Sequence, residues 1–518
     1  MTSPANRRPL SRRTLLRGSA VAGLTAAGAG AMPASASAAA PSGAPPVIEF
    51  GGGRDALLGG AYRSALRNLL EINTVPYDPA EYNQTGLLTD PPGTFIRAGG
   101  GYEQPWTRDA SVNSWNAASL LSPAVARNTL WSVCRRQDDG TLIVQQDNQW
   151  WDQVIWAIAA REHYLLTGDR PFLADAYEAT ANTLRHNRDE HFNAEYGLFE
   201  GPAFMQDGIA GYPSPPYDPA NDSSFVLDHP HTDRMLSLST NCLYHAAYLA
   251  CADMAALVGE RDAARRWRAS AGRLRTAVNR HLWRPEAGTY GSFIHGAGPK
   301  AGRLEPHQET NGLAFAVLCG VASPRQVRTL LDGIHQEPYG VVNVWPHFDR
   351  FDDAHPGRHN VIVWPMTTAM WGHAAARGGR ADLFARTVTD IAELWHGDGH
   401  FWEIYHARTG AVDGGRQVGR QWDSQPDQTW SATGYLRLIH QGLFGLRAGH
   451  GGLSFAPSLP PGWGPVTLSG LAYRGATLDL TVEGAGQRIV SCTLDGRPAP
   501  ARIPAALDGH HAVRIEMG

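Results

Sequence analysis

The sequence predicts a mainly α chain, an (α/α)6 toroid followed by a small C-terminal β-sandwich. Three observations carry this. Helical hydrophobic periodicity starts at Asp55 and persists to near Gly445. The helical segments come in pairs, joined by short turns and separated by longer loops rich in Trp, Gly and Asp. From Gly452 the pattern changes to alternating apolar residues broken by Gly and Pro turns, with an Asp495-Gly496 hairpin signal.

Twelve segments show the helical period, near residues 55–72, 109–121, 123–136, 150–167, 170–188, 235–258, 261–282, 309–321, 323–335, 364–377, 381–396 and 429–443. Breakers separate them at Leu166-Thr167-Gly168-Asp169, Val258-Gly259-Glu260 and Arg377-Gly378-Gly379. Twelve paired helices close as six hairpins. Segments 150–167, 235–258 and 364–377 are rich in Ala, Leu and aromatics and suit the inner ring. Segment 261–282, with RDAARRWRASAGRLR, suits a solvent-facing outer helix.

Four regions follow along the chain. Residues 1–38 read as a targeting signal: Arg12-Arg13 in SRRTLL, a small-residue apolar run from Gly18, and an Ala36-Ser37-Ala38 cleavage site. That order predicts a twin-arginine leader and an exported, extracytoplasmic product. Residues 39–53 are rich in Ala, Pro and Gly and read as a linker. Residues 54–445 form the toroid and 446–518 the β-sandwich. No other apolar run reaches the about 18 residues of a membrane span, so no membrane anchor is expected.

Composition narrows the function. A formal net charge of -4 without a prominent basic stripe argues against a dedicated nucleic-acid binder. The chain has 16 Trp, many in polar, Gly-rich settings such as QPWTRD, DNQWWD and GHFWE, where an indole can line a sugar cleft. Cys134, Cys242, Cys251, Cys319 and Cys492 are scattered without a C-x-x-C pair, so no metal knot is expected. YDPAND at 217–222 and HPHTD at 229–233 lack diagnostic ligand spacing. No metal and no cofactor are implied.

The stretch Phe401 to Tyr435, FWEIYHARTGAVDGGRQVGRQWDSQPDQTWSATGY, sets Glu403 among Phe401, Trp402 and Tyr405. Sugar C–H faces stack on aromatic rings, and a carboxylate beside them can deprotonate water. WEIYHARTG followed by QTWSATGY resembles the Glu-x-Tyr…Thr-Gly…Trp-Ser/Thr segment of inverting six-hairpin glycosidases. These are glycoside hydrolase family 63, mannosylglycerate hydrolase-type enzymes and the trehalases. The resemblance implies that Glu403 is the general base and that Tyr405 and Trp430 contact sugar.

Further segments extend the resemblance. PWTRDASVN resembles the Trp-x-Arg-Asp segment that such toroids use to hold the terminal sugar, which implies that role for Trp106, Arg108 and Asp109. In EYGLFEGPAFMQDGIAGYP, Asp207 is framed by Met205, Gly208 and Ile209, an apolar setting that would raise a carboxyl's pKa. This segment resembles the one carrying the general acid, with Gln206-Asp207 where family 63 has Trp-Asp. QQDNQWWDQVIWA places Asp147, Trp150, Trp151 and Asp152 where a loop enters an inner helix. Trp151 and Asp152 are expected at a subsite, with Asp152 as reserve acid or helix cap. Glu309 in LEPHQETNGLAF reads mainly as a cap. Trp345 and Trp364 flank a polar insertion with His359 and Asn360, and VWP resembles the Trp-Pro that opens the tenth toroid helix. FAPSLPPGW…LAYRGATLDLTVEG resembles the β-sandwich appended to α-L-rhamnosidases and maltose-phosphorylase-like enzymes; a packing role is expected for it, with carbohydrate binding as the alternative.

The resemblance implies an exo-acting inverting glycoside hydrolase with Asp207 as acid and Glu403 as base. A glycoside phosphorylase, with Arg416 and Arg420 near Glu403, a polysaccharide lyase and a non-catalytic sugar-binding protein remain alternatives. The sugar stays open among α-glucosides, α-mannosides, α-rhamnosides and arabinosides.

Overall fold

A computed structural model describes residues 44–145, 149–213 and 220–518. The leader with Arg12 and Arg13, and also Asp147, lie outside the described residues. Twelve principal helices follow the predicted order. They are α1 (Gly60–Arg67), α2 (Thr107–Asn113), α3 (Pro123–Ser132), α4 (Ile155–Thr167), α5 (Arg170–His191) and α6 (Leu238–Leu257). Then come α7 (Arg261–His281), α8 (Thr310–Leu318), α9 (Pro324–Gly333), α10 (Pro365–Arg377), α11 (Ala381–His396) and α12 (Thr429–Arg437). Short π-helical turns extend α1, α2 and α12.

The even-numbered helices form a closed inner ring. α2 packs on α4, α4 on α6, α6 on α8, α8 on α10, α10 on α12, and α12 returns to α2. Their composition explains the placement. All residues of α8 and α12 are buried, and α10 is buried from Pro365 to Ala375, so these helices have no solvent face to satisfy. α7 instead buries only Ala263, Ala264, Ala271, Leu274 and Val278, a single stripe, and turns its arginines outward. Local signals set the boundaries. Gly168 takes φ 75° to end α4, and the Asp169 carboxylate accepts from Phe172 N at 3.0 Å to start α5. Ser323 and Gln326 form a capping box on α9.

The C-terminal region forms two sheets. Its strands are β2 (Leu446–Gly449), β3 (Gly452–Phe455), β4 (Val466–Tyr473), β5 (Ala476–Gly484), β6 (Ile489–Leu494), β7 (Arg497–Pro498), β8 (Arg502–Pro504) and β9 (Gly509–Met517). An N-terminal strand, β1 (Val47–Phe50), joins them. The larger sheet has the order β1-β4-β5-β9-β6-β7 and the smaller β2-β3-β8. Leu453, Phe455, Leu468, Leu480, Ile503 and Val513 share one core with the toroid. Arg474 donates to Leu165 O at 3.0 Å, satisfying a carbonyl in the last turn of α4 and tying the sandwich to the ring.

Three segments differ from expectation. Val47–Phe50, inside the 39–53 stretch read as linker, pairs antiparallel with Val466–Ser469 of β4. Ile48 and Phe50 alternate inward, a period-two signal that the Ala/Pro/Gly-rich composition obscured. Helix α3 stops at Ser132, and Cys134–Arg136 pairs with Leu142–Val144 around a turn centred on Asp138-Asp139, closed by Gly140 N donating to Gln137 O at 2.8 Å. Leu236–Ser237 is a short strand against Phe293–Ile294 before α6 begins. All five cysteines are free thiols, and Cys134, Cys242 and Cys251 are buried. No helix among the described residues is long and apolar enough to cross a membrane.

Candidate active site

One pocket gathers most of the predicted residues. Arg108 and Asp109 lie in the first turn of α2, Asp207 in the loop before α6, and Trp364 and Trp430 at the starts of α10 and α12. The pocket therefore sits at the N-terminal end of the inner ring. Helix dipoles there favour negative charge. Trp106, Arg108, Asp109, Asp207, Trp364, Glu403 and Trp430 all line it, joined by Tyr102, Met205, Arg358, His359, Gln417 and Gln428.

Arg108 anchors the acidic side. It is 5% exposed and lies 2.5 Å from Asp152, 3.7 Å from Asp207 and 3.9 Å from Asp109. Burial works against its charge, but Asp152, Asp207 and Asp109 together hold the guanidinium well above its ordinary range. Asp152 shares this one cation with two other carboxylates. Burial pushes its pKa up to about 7, Arg108 opposes the rise, and Asp207 adds to it.

Glu403 forms the other wall. It is 3% exposed. Arg358 donates to its Oε1 at 2.9 Å, and its Oε2 has no hydrogen-bond partner among the described residues. Arg358 is fixed in turn by donation to Gly414 O at 3.0 Å and by the faces of Trp364 and Trp422, 5.1 and 5.8 Å from its guanidinium carbon. Burial opposes charge on Arg358, but Glu403, Tyr102 and Asp207 together hold its guanidinium above its ordinary range. His359 stacks on Trp364 with centroids 5.2 Å apart. Burial, reinforced by Arg358, lowers its pKa to about 3 and keeps it neutral.

The structure moves three predicted residues out of the pocket. Asp152 is 1% exposed and spends both oxygens internally, one on Arg108 and one accepting from Met205 N at 3.1 Å. It holds the wall and does not line the pocket. Trp151 is fully buried in a cluster with Ile209, Tyr212, Val226, Met235 and Phe293 beneath the Asp207 loop. Tyr405 packs with Val342, Val363 and Leu394, its hydroxyl bonded to Trp402 N and His400 O. Arg420 is exposed and pairs with Asp222, and Arg416 does not line the pocket. Glu309 behaves as a cap, accepting from Ser239 N at 3.1 Å and Gly312 N at 3.0 Å across the starts of α6 and α8. Sequence reasoning missed Arg358, Tyr102, Gln417 and Gln428. Only the proximity of DDAHPGRHN to the Trp-Pro of α10 hinted at Arg358.

Comparison with known proteins places both regions of the chain. The family model for the mannosylglycerate hydrolase MGH1-like glycoside hydrolase domain matches residues 102–431, and that for the glycosyl hydrolase family 65 C-terminal domain matches 446–504. The chain is 26% identical to a cellobionic acid phosphorylase of Neurospora crassa over 267 residues, 47% of this chain and 33% of that protein. It is 25% identical to an N,N'-diacetylchitobiose phosphorylase of Vibrio proteolyticus over 292 residues, 50% of this chain and 34% of that protein. The match thus spans about a third of the length of these curated relatives. A solved sialidase structure shares the fold with a TM-score of 0.61 at 15% identity, covering 83% of this chain and 37% of the other. With more than half of its length matched and both domains in the expected order, the chain belongs to the mannosylglycerate hydrolase MGH1-like glycoside hydrolase family.

Proposed function

We propose that the protein is an exported, inverting exo-glycoside hydrolase in which Asp207 is the general acid and Glu403 the general base. The observation that carries this reading is Glu403. One of its oxygens is held by Arg358, and the other has no partner among the described residues, in a pocket that Asp207 also lines. A carboxylate oriented through one oxygen keeps the second for a water proton. Asp207 is the carboxyl of the Arg108 cluster that combines pocket access with partial exposure, its side chain being 20% exposed against 2% for Asp152. It would protonate the departing oxygen while Glu403 activates water on the opposite face of the ring. A single displacement of this kind needs carboxyls about 6.5–9.5 Å apart. Trp106, Trp364 and Trp430 supply stacking faces, and Arg108 and Asp109 offer donor and acceptor to ring hydroxyls. A pocket rather than an open groove suits a chain end. Export rests on the Arg12-Arg13 leader pattern.

Phosphorolysis is the second reading, favoured by the names of the two curated relatives and by Arg108 and Arg358 in the pocket wall. Phosphate would have to replace water beside the Glu403 carboxylate, and Arg358 is already neutralised by that carboxylate. Like charges in a buried site disfavour this. A panel of α-glucosides, α-mannosides, α-rhamnosides and arabinosides, run with and without phosphate in ¹⁸O-water, tests the reading. The expected result is phosphate-independent release of sugar carrying ¹⁸O at the anomeric carbon, with inverted configuration in the first NMR spectra. Sugar 1-phosphate as product would establish phosphorolysis, and retained configuration would overturn the single displacement.

A further inference from the structure

The Asp207 loop is gripped from the wall that carries Glu403. Asn360 Nδ2 donates to Ala210 O at 2.9 Å, and Ala210 N donates to Gln417 Oε1 at 3.0 Å. Both polar groups of one peptide residue, three positions after the proposed acid, are thus bound by side chains from the other side of the pocket. Arg350 adds donation to Ile209 O and Tyr212 O. Asn360 is fully buried, does not line the pocket, and accepts from Phe348 N at 3.1 Å through its other amide atom. Arg358, two residues earlier, holds Glu403. The tripeptide Arg358-His359-Asn360 therefore contacts the proposed base at one end and the acid's loop at the other.

The backbone around this junction is strained. Val361 follows Asn360 at φ 64°, although it is β-branched and 1% exposed. Met205 at φ 54° and Trp106 at φ 43° line the pocket, while Val418 at φ 43° and Asp427 at φ 49° adjoin the lining residues Gln417 and Gln428. Such conformations persist where surrounding contacts over-determine them, and they cluster at sites whose geometry is held for a purpose.

We propose that Asn360 and Gln417 are positioning residues that clamp Ala210 and so fix the Asp207 carboxyl relative to Glu403. This rests on the acid and base roles given above. A displacement of about 1 Å in a catalytic group can cost about 10²-fold in rate. A misplaced acid is felt only where the leaving group needs a proton. Loosening the clamp should therefore impair cleavage of unactivated glycosides and spare activated ones, a split that general destabilisation would not produce.

The test compares wild type, Asp207→Asn, Asn360→Ala and Gln417→Met on an unactivated glycoside and on the dinitrophenyl glycoside of the same sugar, with thermal melting of each protein. Asn360→Ala is expected to lose about 10²-fold in kcat on the first substrate with KM little changed. It should remain near wild type on the second. Gln417→Met keeps side-chain volume while removing the acceptor for Ala210 N; because Gln417 also lines the pocket, its readout is the extra loss on the unactivated glycoside over that on the activated one, and it carries the test if Asn360→Ala does not fold. Folded clamp variants that lose activity equally on both substrates, or lose none, overturn the clamp. If Asp207→Asn itself loses equally on both, the acid assignment fails and the clamp falls with it. If Asp207→Asn shows the split and the clamp variants do not, the clamp alone is wrong.

Discussion

Arg358 holds Glu403 through one carboxylate oxygen at 2.9 Å and leaves the other without a partner among the described residues. The pair is buried, with side chains 9% and 4% exposed. Removing either member leaves an uncompensated charge, a loss of about 3–5 kcal/mol in comparable pairs. Arg358→Gln is therefore expected to lower the melting temperature and cut kcat/KM on every substrate, with Arg358→Lys intermediate. Glu403→Gln should lose about 10²–10⁴-fold on natural and activated substrates alike, because water must be activated in both cases. Full activity of Glu403→Gln on a dinitrophenyl glycoside would remove it from the base role.

Asp152 and Asp207 share Arg108 but differ in use. Asp152 also binds Met205 N, so it braces the loop that carries Asp207. Asp152→Asn is expected to destabilise the fold by removing the closest carboxylate from a buried guanidinium. Asp207→Asn, with a 3.7 Å contact and a more exposed side chain, should melt near wild type while losing turnover of unactivated glycosides. Circular-dichroism melts beside rates on both substrate types separate the two. A stable, catalytically dead Asp152→Asn would reinstate Asp152 as the acid.

The ring was legible in the sequence because its inner helices are apolar on nearly every side and glycine breakers mark the turns. Most of the pocket was legible because charged and aromatic residues sit together at the starts of inner helices, as at Trp106-Thr107-Arg108-Asp109. Arg358 was not, since it lies 45 residues from Glu403 in a polar loop with no period. Trp151 and Tyr405 were misplaced because an aromatic in a polar, Gly-rich setting has the same local signature whether it walls a pocket or fills the core beneath one. Only packing distinguishes the two.

Glu309 gives the fold a pH dependence of defined sign. Burial raises its pKa from 4.5 to about 8, and the N–H groups of Ser239 and Gly312 oppose the rise. The folded state holds the proton more tightly than the unfolded chain does. Stability from this group is therefore present below 4.5 and is lost as pH rises toward about 8. Glu309→Gln, which cannot ionise, should flatten the decline in melting temperature across that range. It should also lose about 1 kcal/mol at the acid end, because its amide can accept from only one of the two N–H groups. An unchanged slope would show that Glu309 does not titrate there.

β1 closes one edge of the larger sheet and joins the start of the described chain to its C-terminal domain. Ile48 is fully buried, and Phe50 meets Trp463 edge-on at 6.2 Å, while Trp463 also contacts Phe384 of α11 at 6.5 Å. The strand therefore packs where sandwich and ring meet. Ile48→Ala is expected to cost about 2–5 kcal/mol, the range for truncating a buried aliphatic side chain. Deleting residues 44–50 should do more than lower the melting temperature. It would leave Val466 to Ser469 of β4 with unpaired backbone N–H and C=O groups, and an open strand edge is a template for pairing with another chain. Light scattering at increasing concentration should then show association that the intact protein lacks. A truncated protein that melts and scatters like the full chain would show that β1 is dispensable to the sheet it borders.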